Sequence, residues 1–295
     1  MRYTSTAHKV FTIFNYFFLT VTCLTCVLPF LNLLAISFSS TVAVKSKVVS
    51  FWPVGFNTAA YEFALMGGRF VASLLISIQR VALGLIVNIL LIVLVAYPLS
   101  HKKDKLMGRN FYMTFFFITM ILNAGLVPTY LLVTQLKLLN SLWALVLPGA
   151  LPVYSMIILM NFIRGLPEEL QDAAMIDGAG PAVVLFRVML PLLTPALATV
   201  GLFSIVMHWN SWFDGMIYMQ NYMRYPLQTY LQYLLLKFDQ LMQMSQGDFA
   251  LIVARLNART GRAAQLFLGA LPIALIYPFL QKYFTTGLVM GSVKG

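Results

Sequence analysis

Nine acidic side chains occur in the 295-residue chain, and four of them, Glu168, Glu169, Asp172 and Asp177, fall within ten consecutive positions. Carboxylates gathered in this way suit charge contacts with a partner, or the positive end of a helix dipole. Acid–base or metal chemistry would need companions that are missing: His8, His101 and His208 are scattered, without metal-ligand spacing. Cys23 and Cys26 form a C-x-x-C, but inside an apolar run, where they read as small packing residues. No Gly-Lys dipeptide occurs, so the phosphate-cradling loop G-x-x-x-x-G-K-[ST] is absent. Gly178-Ala-Gly180 lacks the third glycine and the preceding strand of a dinucleotide fingerprint. No catalytic residue, metal ligand or bound cofactor is expected of this chain.

A second polar group is embedded in apolar sequence: His208, Trp209, Asn210, Trp212 and Asp214. On a continuous helix, Asn210 and Asp214 would share one face, and His208 and Trp212 a neighbouring one. A charge in lipid is expensive and faces the protein interior by default. The alternative is a contact with another subunit, or a cap at the outer membrane interface, where tryptophan concentrates.

The elements that carry these residues follow from composition. Hydrophobic residues make up 60% of the chain and charged residues 10%, against about 25% charged in soluble domains, and the mean hydropathy is +0.83. Neither a soluble enzyme nor a disordered chain fits. The net charge of +11 is spread between long uncharged runs, not gathered on one face, so nucleic-acid binding is excluded. An integral membrane protein remains.

A membrane-spanning helix needs about 20 mostly apolar residues, and six stretches qualify: 10–36, 81–100, 111–132, 142–163, 196–219 and 263–280. Residues 83–95 are apolar on every side, unlike the alternating strands of a barrel. The first stretch is too long for the apolar core of a cleavable signal and reads as a retained span. The fold class expected is therefore an all-α membrane protein with six transmembrane helices.

With the N-terminus inside, ten cations fall on the cytoplasmic side and nine outside, while Arg80 snorkels at the outer edge of span two. That count decides nothing. The short loop 101–109, however, holds Lys102, Lys103, Lys105 and Arg109 between two strong spans, which favours N-in/C-in. Two outer segments are then long, 37–68 and 220–262. The second carries five cations (Arg224, Lys237, Arg255, Arg259, Arg262) against Asp239 and Asp248. It is either a solvated loop with an interfacial helix, or a basic outer surface that meets an acidic partner or substrate.

The acidic cluster belongs to the cytoplasmic loop 164–194. Pro167 suits a first helical position, Gly178 a stop, and a second helix is expected from Pro181 to just before Pro191. Val183, Val184, Leu185, Phe186, Val188 and Met189 make that second helix apolar all round. Such a helix must be buried in its own subunit or docked in a protein groove.

This loop resembles the coupling loop of bacterial ABC importer permeases, E-A-A, three residues, G, nine residues, I, one residue, L-P. Here Asp172-Ala173-Ala174 is followed at those spacings by Gly178, Val188 and Leu190-Pro191, with Asp for Glu and Val for Ile. Gly125-Leu-Val-Pro-Thr-Tyr130, Leu147-Pro-Gly149, His208-Trp-Asn-Ser-Trp-Phe213, Tyr277-Pro-Phe-Leu-Gln-Lys-Tyr283 and Gly291-Ser-Val-Lys-Gly295 look like the carbohydrate-uptake branch. The chain is similar within it to membrane subunits of alginate and oligosaccharide importers.

The resemblance covers nearly all of 1–295 as one transmembrane domain, in a bacterial inner membrane. It implies that Glu168, Glu169, Asp172, Ala173, Ala174, Asp177, Gly178, Phe186, Leu190 and Pro191 couple the chain to an ATPase. It further implies a second homologous permease, two ATP-binding subunits that hold ATP and Mg, and an external solute-binding protein. The 291–295 tail would reach the same ATPase interface. Sugars are held by aromatic faces and planar hydrogen-bonding groups, so His208, Trp209, Asn210, Trp212 and Asp214 become candidates for a carbohydrate path. The segment 220–262 is longer than the family's usual one, and no role transfers to it. The rival classes are an ion-coupled secondary transporter, disfavoured by the missing repeat and central acid pair, and a membrane enzyme.

Overall fold

The computed structural model describes residues 6–65, 68–101, 106–244 and 257–292, and within them the side chains except at 7, 238–244 and 276–292. Arg2, Lys102, Lys103, Lys105, Asp248, Arg255 and the tail 293–295 lie outside the described residues, as do the side chains of Asp239 and Lys282. All regular structure among the described residues is helical.

The chain divides into two units, one of residues 1–70 with 231–271 and one of 71–230 with 272–295. The first begins with α1 (Thr6–Ser37), followed by α2 (Thr41–Lys45) and α3 (Ala59–Leu65). From Val10 to Leu31 the large side chains of α1 are mostly exposed. Cys23 and Cys26 are exposed there too. Burial starts only at the end of the helix, where Ile36 packs with Val44 and with Ala263 of the long helix α14 (Ala258–Ser292).

The second unit is built on α4 (Arg69–Ser100), followed by α5 (Arg109–Ile121), α6 (Leu126–Gln135), α7 (Leu142–Val146) and α8 (Val153–Arg164). Then come the short α9 (Glu169–Ile176) and α10 (Pro181–Leu192), and α11 (Thr194–Asn210) and α12 (Phe213–Tyr218); α13 (Leu227–Met244) starts in this unit and belongs to the first from Leu231 onward. The apolar core of the second unit joins Ile92, Val93, Ala96 and Leu99 of α4 to Met156, Leu159, Met160 and Ile163 of α8, and takes in Val184, Leu185 and Met189 of α10.

Among the described residues, two helices, α1 and α4, are long and apolar enough to cross a membrane, and up to five spans result if each bent pair counts as one. The expected spans three and four are two of those bent pairs, while the third joins α10 of the expected loop to α11; the expected span five, 196–219, falls on α11 and, after a break, α12. Span three turns by 112° between α5 and α6. There Asn123 accepts the Gly125 N–H at 2.8 Å, and Gly125 takes a φ of +87° that a side chain would resist. Span four bends by 54° at the break between Gly149 and Val153, which contains Pro152. The sixth expected span lies along α14, a single helix of 35 residues that starts five residues before the sequence suggests.

Candidate functional site

The acidic loop folds into the two short helices expected of it. Gly178 takes a φ of +83°, the left-handed conformation that ends α9. The second helix departs from expectation by continuing through Pro191 to Leu192. Proline has no N–H to donate and its ring crowds the carbonyl four residues back, here Arg187. A wider π-type winding over Val184–Met189 precedes the proline and loosens that turn, so the chain stays helical across it. The axis then turns by 82° from α10 into α11.

The apolar α10 answers its burial problem with its two faces. Val184, Leu185 and Met189 are buried against α4 and α8 of the same unit. Val183 and Phe186 stay exposed, and α9 adds Leu170, Met175 and Ile176, the last 86% exposed. Glu168, Glu169, Asp172, Ala173, Asp177 and Gly178 are exposed as well, whereas Ala174 and Leu190 are partly covered by the core. An apolar ridge edged with carboxylates therefore projects from a rigid base.

That base is tied to α4 by residues the sequence left unassigned. His101, at the end of α4, donates from Nδ1 to the Tyr97 carbonyl (2.9 Å), and its Nε2 meets the Gln171 side-chain amide of α9 at 3.0 Å. Arg109 and Arg164 donate to the Leu99 carbonyl at 3.0 and 3.1 Å, so two cations close the C-terminal end of α4. Partial burial, and then the neighbouring Arg109 charge, pull Arg164 below the ordinary arginine pKa.

The second candidate group is arranged differently from its sequence expectation. The helix α11 stops at Asn210, Ser211 is extended, and α12 restarts at Phe213. His208 with Trp212, and Asn210 with Asp214, are therefore not stacked on one continuous face. The break has a cause in Asp214, whose Oδ1 accepts the Ser211 hydroxyl and its neighbour's Gly215 N–H, each at 2.8 Å. Those bonds stabilise a corner in place of a further helical turn.

Asp214 also forms an ion pair with Arg80, which is 2% exposed. The expected snorkelling of Arg80 is thus corrected: a partly exposed carboxylate holds the buried guanidinium inside the protein. Its guanidinium further donates to the Ser211 carbonyl at 3.1 Å and the Leu145 carbonyl at 3.4 Å. One side chain of α4 therefore fastens α7 and the α11–α12 corner. Gly215 completes the joint, because a Cβ there would lie 2.1 Å from Thr229 Oγ1, which donates to the Trp212 carbonyl at 2.8 Å.

One helical turn further along α4, Gly84 faces His208 so closely that a Cβ would fall 2.2 Å from the ring Nε2. Asn88, wholly buried, lies 3.0 Å from the Ser204 hydroxyl. With its amide nitrogen toward the Gly84 and Ala150 carbonyls, 3.1 Å from each, its oxygen accepts from Ser204. Ser77 accepts the Leu227 N–H at 2.7 Å. Ser77, Arg80, Gly84 and Asn88 thus form a polar seam along one face of α4. Their spacing of three, four and four was the available signal, inside a run that reads as plain span.

Of the five path candidates, His208 and Trp209 are buried, Asp214 is engaged by Arg80, and Asn210 donates to its own helix at Val206 (3.0 Å). Trp212 is 39% exposed and meets Phe213 edge to face at 5.6 Å. Trp212 and Asn210 are therefore the exposed members of the group.

No protein-family model matches the chain. It is 34% identical over 290 residues to the polygalacturonan/rhamnogalacturonan transport system permease protein YtcP of Bacillus subtilis, covering 98% of this chain and 99% of that one. It is also 34% identical over 289 residues to protein LplC of the same organism, covering 98% and 96%. Among solved structures it is similar to a bacterial ABC transporter involved in the import of the acidic polysaccharide alginate, with a TM-score of 0.81, 27% identity and coverage of 96% and 100%. Full-length likeness at that level, on an all-helical frame with long apolar helices, settles the class: the chain belongs to the family of membrane permease subunits of ABC sugar-transport systems.

Proposed function

We propose that this chain forms one membrane half of an ATP-driven importer of acidic oligosaccharides in a bacterial plasma membrane. In this reading it crosses the membrane six times with both ends inside. It pairs with a second permease, stands on two ATP-binding subunits and receives sugar from an external binding protein. ATP and Mg are held by the partners, and this chain supplies shape and movement.

The observation that carries the reading is the α9–α10 pair, with one face fixed to α4 and α8 and the other presenting Met175, Ile176, Val183 and Phe186 outward. An amphipathic helix pair of this kind suits docking in a groove of another subunit. When that groove moves, the base moves with it, and the 82° turn into α11 converts the shift into a tilt of the following helix. Coupling of this sort is reciprocal for binding, so a docked binding protein favours closure of the ATPases. The acidic nature of the sugar is supported by two relatives, one named for polygalacturonan and the other for alginate, both uronate polymers.

Reconstitution with the partner subunits in vesicles tests this. ATP-driven uptake of tetragalacturonate is expected, with little uptake of the neutral galactose tetramer. Substitutions Ile176→Asp and Phe186→Asp are expected to abolish both ATPase co-purification and uptake. Uptake that persists on an ion gradient with the ATPases omitted would overturn the importer reading in favour of a secondary transporter.

A further inference from the structure

The first unit contains a cavity of ≈340 Å³ lined by Ile36, Val44, Lys47, Val49 and Arg259. Its floor is aliphatic and firm, since Ile36 and Val44 are themselves buried against Ala263. Two cations complete the wall. Lys47 is set in place by a left-handed turn (φ +57°) that follows α2. Arg259 stands in the first turn of α14, where its N–H is held by Asn257 Oδ1 at 2.9 Å. Neither cation makes an ion pair among the described residues. The carboxylate described in this unit, Glu62, is engaged by the Thr58 hydroxyl at 2.6 Å.

The chemistry of the lining selects the ligand. Among the described residues of the lining, two cations ask for an anion, while three aliphatic side chains without an aromatic ring suit an acyl or glycerol chain, not a sugar face. Position points the same way. α1 has 32 residues and is about 48 Å long, more than the ~30 Å hydrocarbon layer, so its end lies among headgroups. Its outward residues from Val10 to Leu31 are apolar and mostly exposed, as suits contact with lipid.

The loop that leaves the cavity has the same character. Phe51, Trp52 and Phe56 are exposed on it, Trp52 at 82%. The display is fixed, because the Ser40 N–H donates to the Val54 carbonyl at 3.0 Å and the Asn57 N–H to that of Phe38 at 2.8 Å. Phe56 stacks on Phe38 with ring centroids 5.4 Å apart. Aromatic side chains beside basic ones are the usual furniture of a membrane interface.

We propose that this cavity is a binding site for one anionic phospholipid, with its phosphate between Lys47 and Arg259 and its glycerol and upper acyl carbons over Ile36, Val44 and Val49. The site anchors the end of the first span to an anionic leaflet and is independent of the sugar that is carried.

Native mass spectrometry of the full importer complex in detergent tests it, titrated with phosphatidylglycerol or phosphatidylcholine. One phosphatidylglycerol is expected to bind about thirtyfold more tightly than phosphatidylcholine, from two cations near a headgroup. The double variant Lys47→Asn and Arg259→Gln is expected to lose that preference. Lys47→Asn alone is expected to lose about fivefold, and it keeps the left-handed turn, which asparagine tolerates, so a folding defect does not mask the result. Equal binding of the two lipids, or unchanged phosphatidylglycerol binding in both variants, would refute the site. Displacement by inorganic phosphate would reassign it to free anions, and displacement by tetragalacturonate to the sugar, each overturning the lipid proposal.

Discussion

Arg80 and Asp214 are 134 residues apart in sequence and joined as an ion pair, with side chains 2% and 24% exposed. Their union ties the middle of α4 to the corner at which α11 gives way to α12. Burying two charges is costly and an apolar pair can be as stable, so its evident consequence is geometric. Arginine offers several donors in one plane, and its two terminal nitrogens meet acceptors from two places, Asp214 and the Ser211 carbonyl at the corner and the Leu145 carbonyl of α7.

If the joint works in this way, Asp214→Ala leaves an uncompensated buried guanidinium and is expected to cost about 3–5 kcal/mol of stability. Arg80→Met combined with Asp214→Leu removes both charges and is expected to recover most of that loss. Unfolding of the detergent-solubilised singles and double measures the coupling. Additive losses would mean that the pair is not a unit.

Gly84 provides a second test of the same seam. Its Cα lies so near the His208 ring that alanine must displace the histidine, and overpacking of this kind costs about 1–3 kcal/mol. Gly84→Ala is expected to be destabilising alone and nearly neutral in a His208→Ala background, where the ring is gone. Equal effects in both backgrounds would show that the contact yields easily.

How much of this was legible beforehand depended on the range of the interaction. Gly178, Pro181 and the acids around Asp172 act within one or two turns, and from them the short helix pair follows. Span breaks were harder. Nothing apolar distinguishes residues 111–132 from a straight span, and the 112° turn comes from Asn123 and the positive φ of Gly125. Helical stacking of Asn210 on Asp214 failed for a related reason, since the carboxylate that would have lain on the face instead caps the corner after Ser211. Arg80 needed its distant partner to be understood. An arginine at the edge of an apolar run has the same local sequence whether it reaches water or an acid within the protein, and the distinguishing residue is on another helix.

The last relationship with a measurable consequence is His101 with Gln171. Through it the end of α4 holds α9, the helix that carries Asp172 and the exposed Ile176. The contact does not face outward, so it is a positioning contact, and its loss should leave the exposed apolar ridge of α9 and α10 chemically intact. A hydrogen bond of this type is worth about 0.5–1.5 kcal/mol net, enough to let the short helix shift on its base without unfolding it. His101→Ala and Gln171→Ala are therefore each expected to retain the ATPase subunits on purification and to lower sugar uptake per ATP hydrolysed by about two- to tenfold. The double variant should be no worse than either single one, because both remove the same bond. Measuring uptake and hydrolysis in the same vesicles separates this from a docking defect, in which both rates would fall together. A double variant with multiplied losses would show that the two residues act by separate routes.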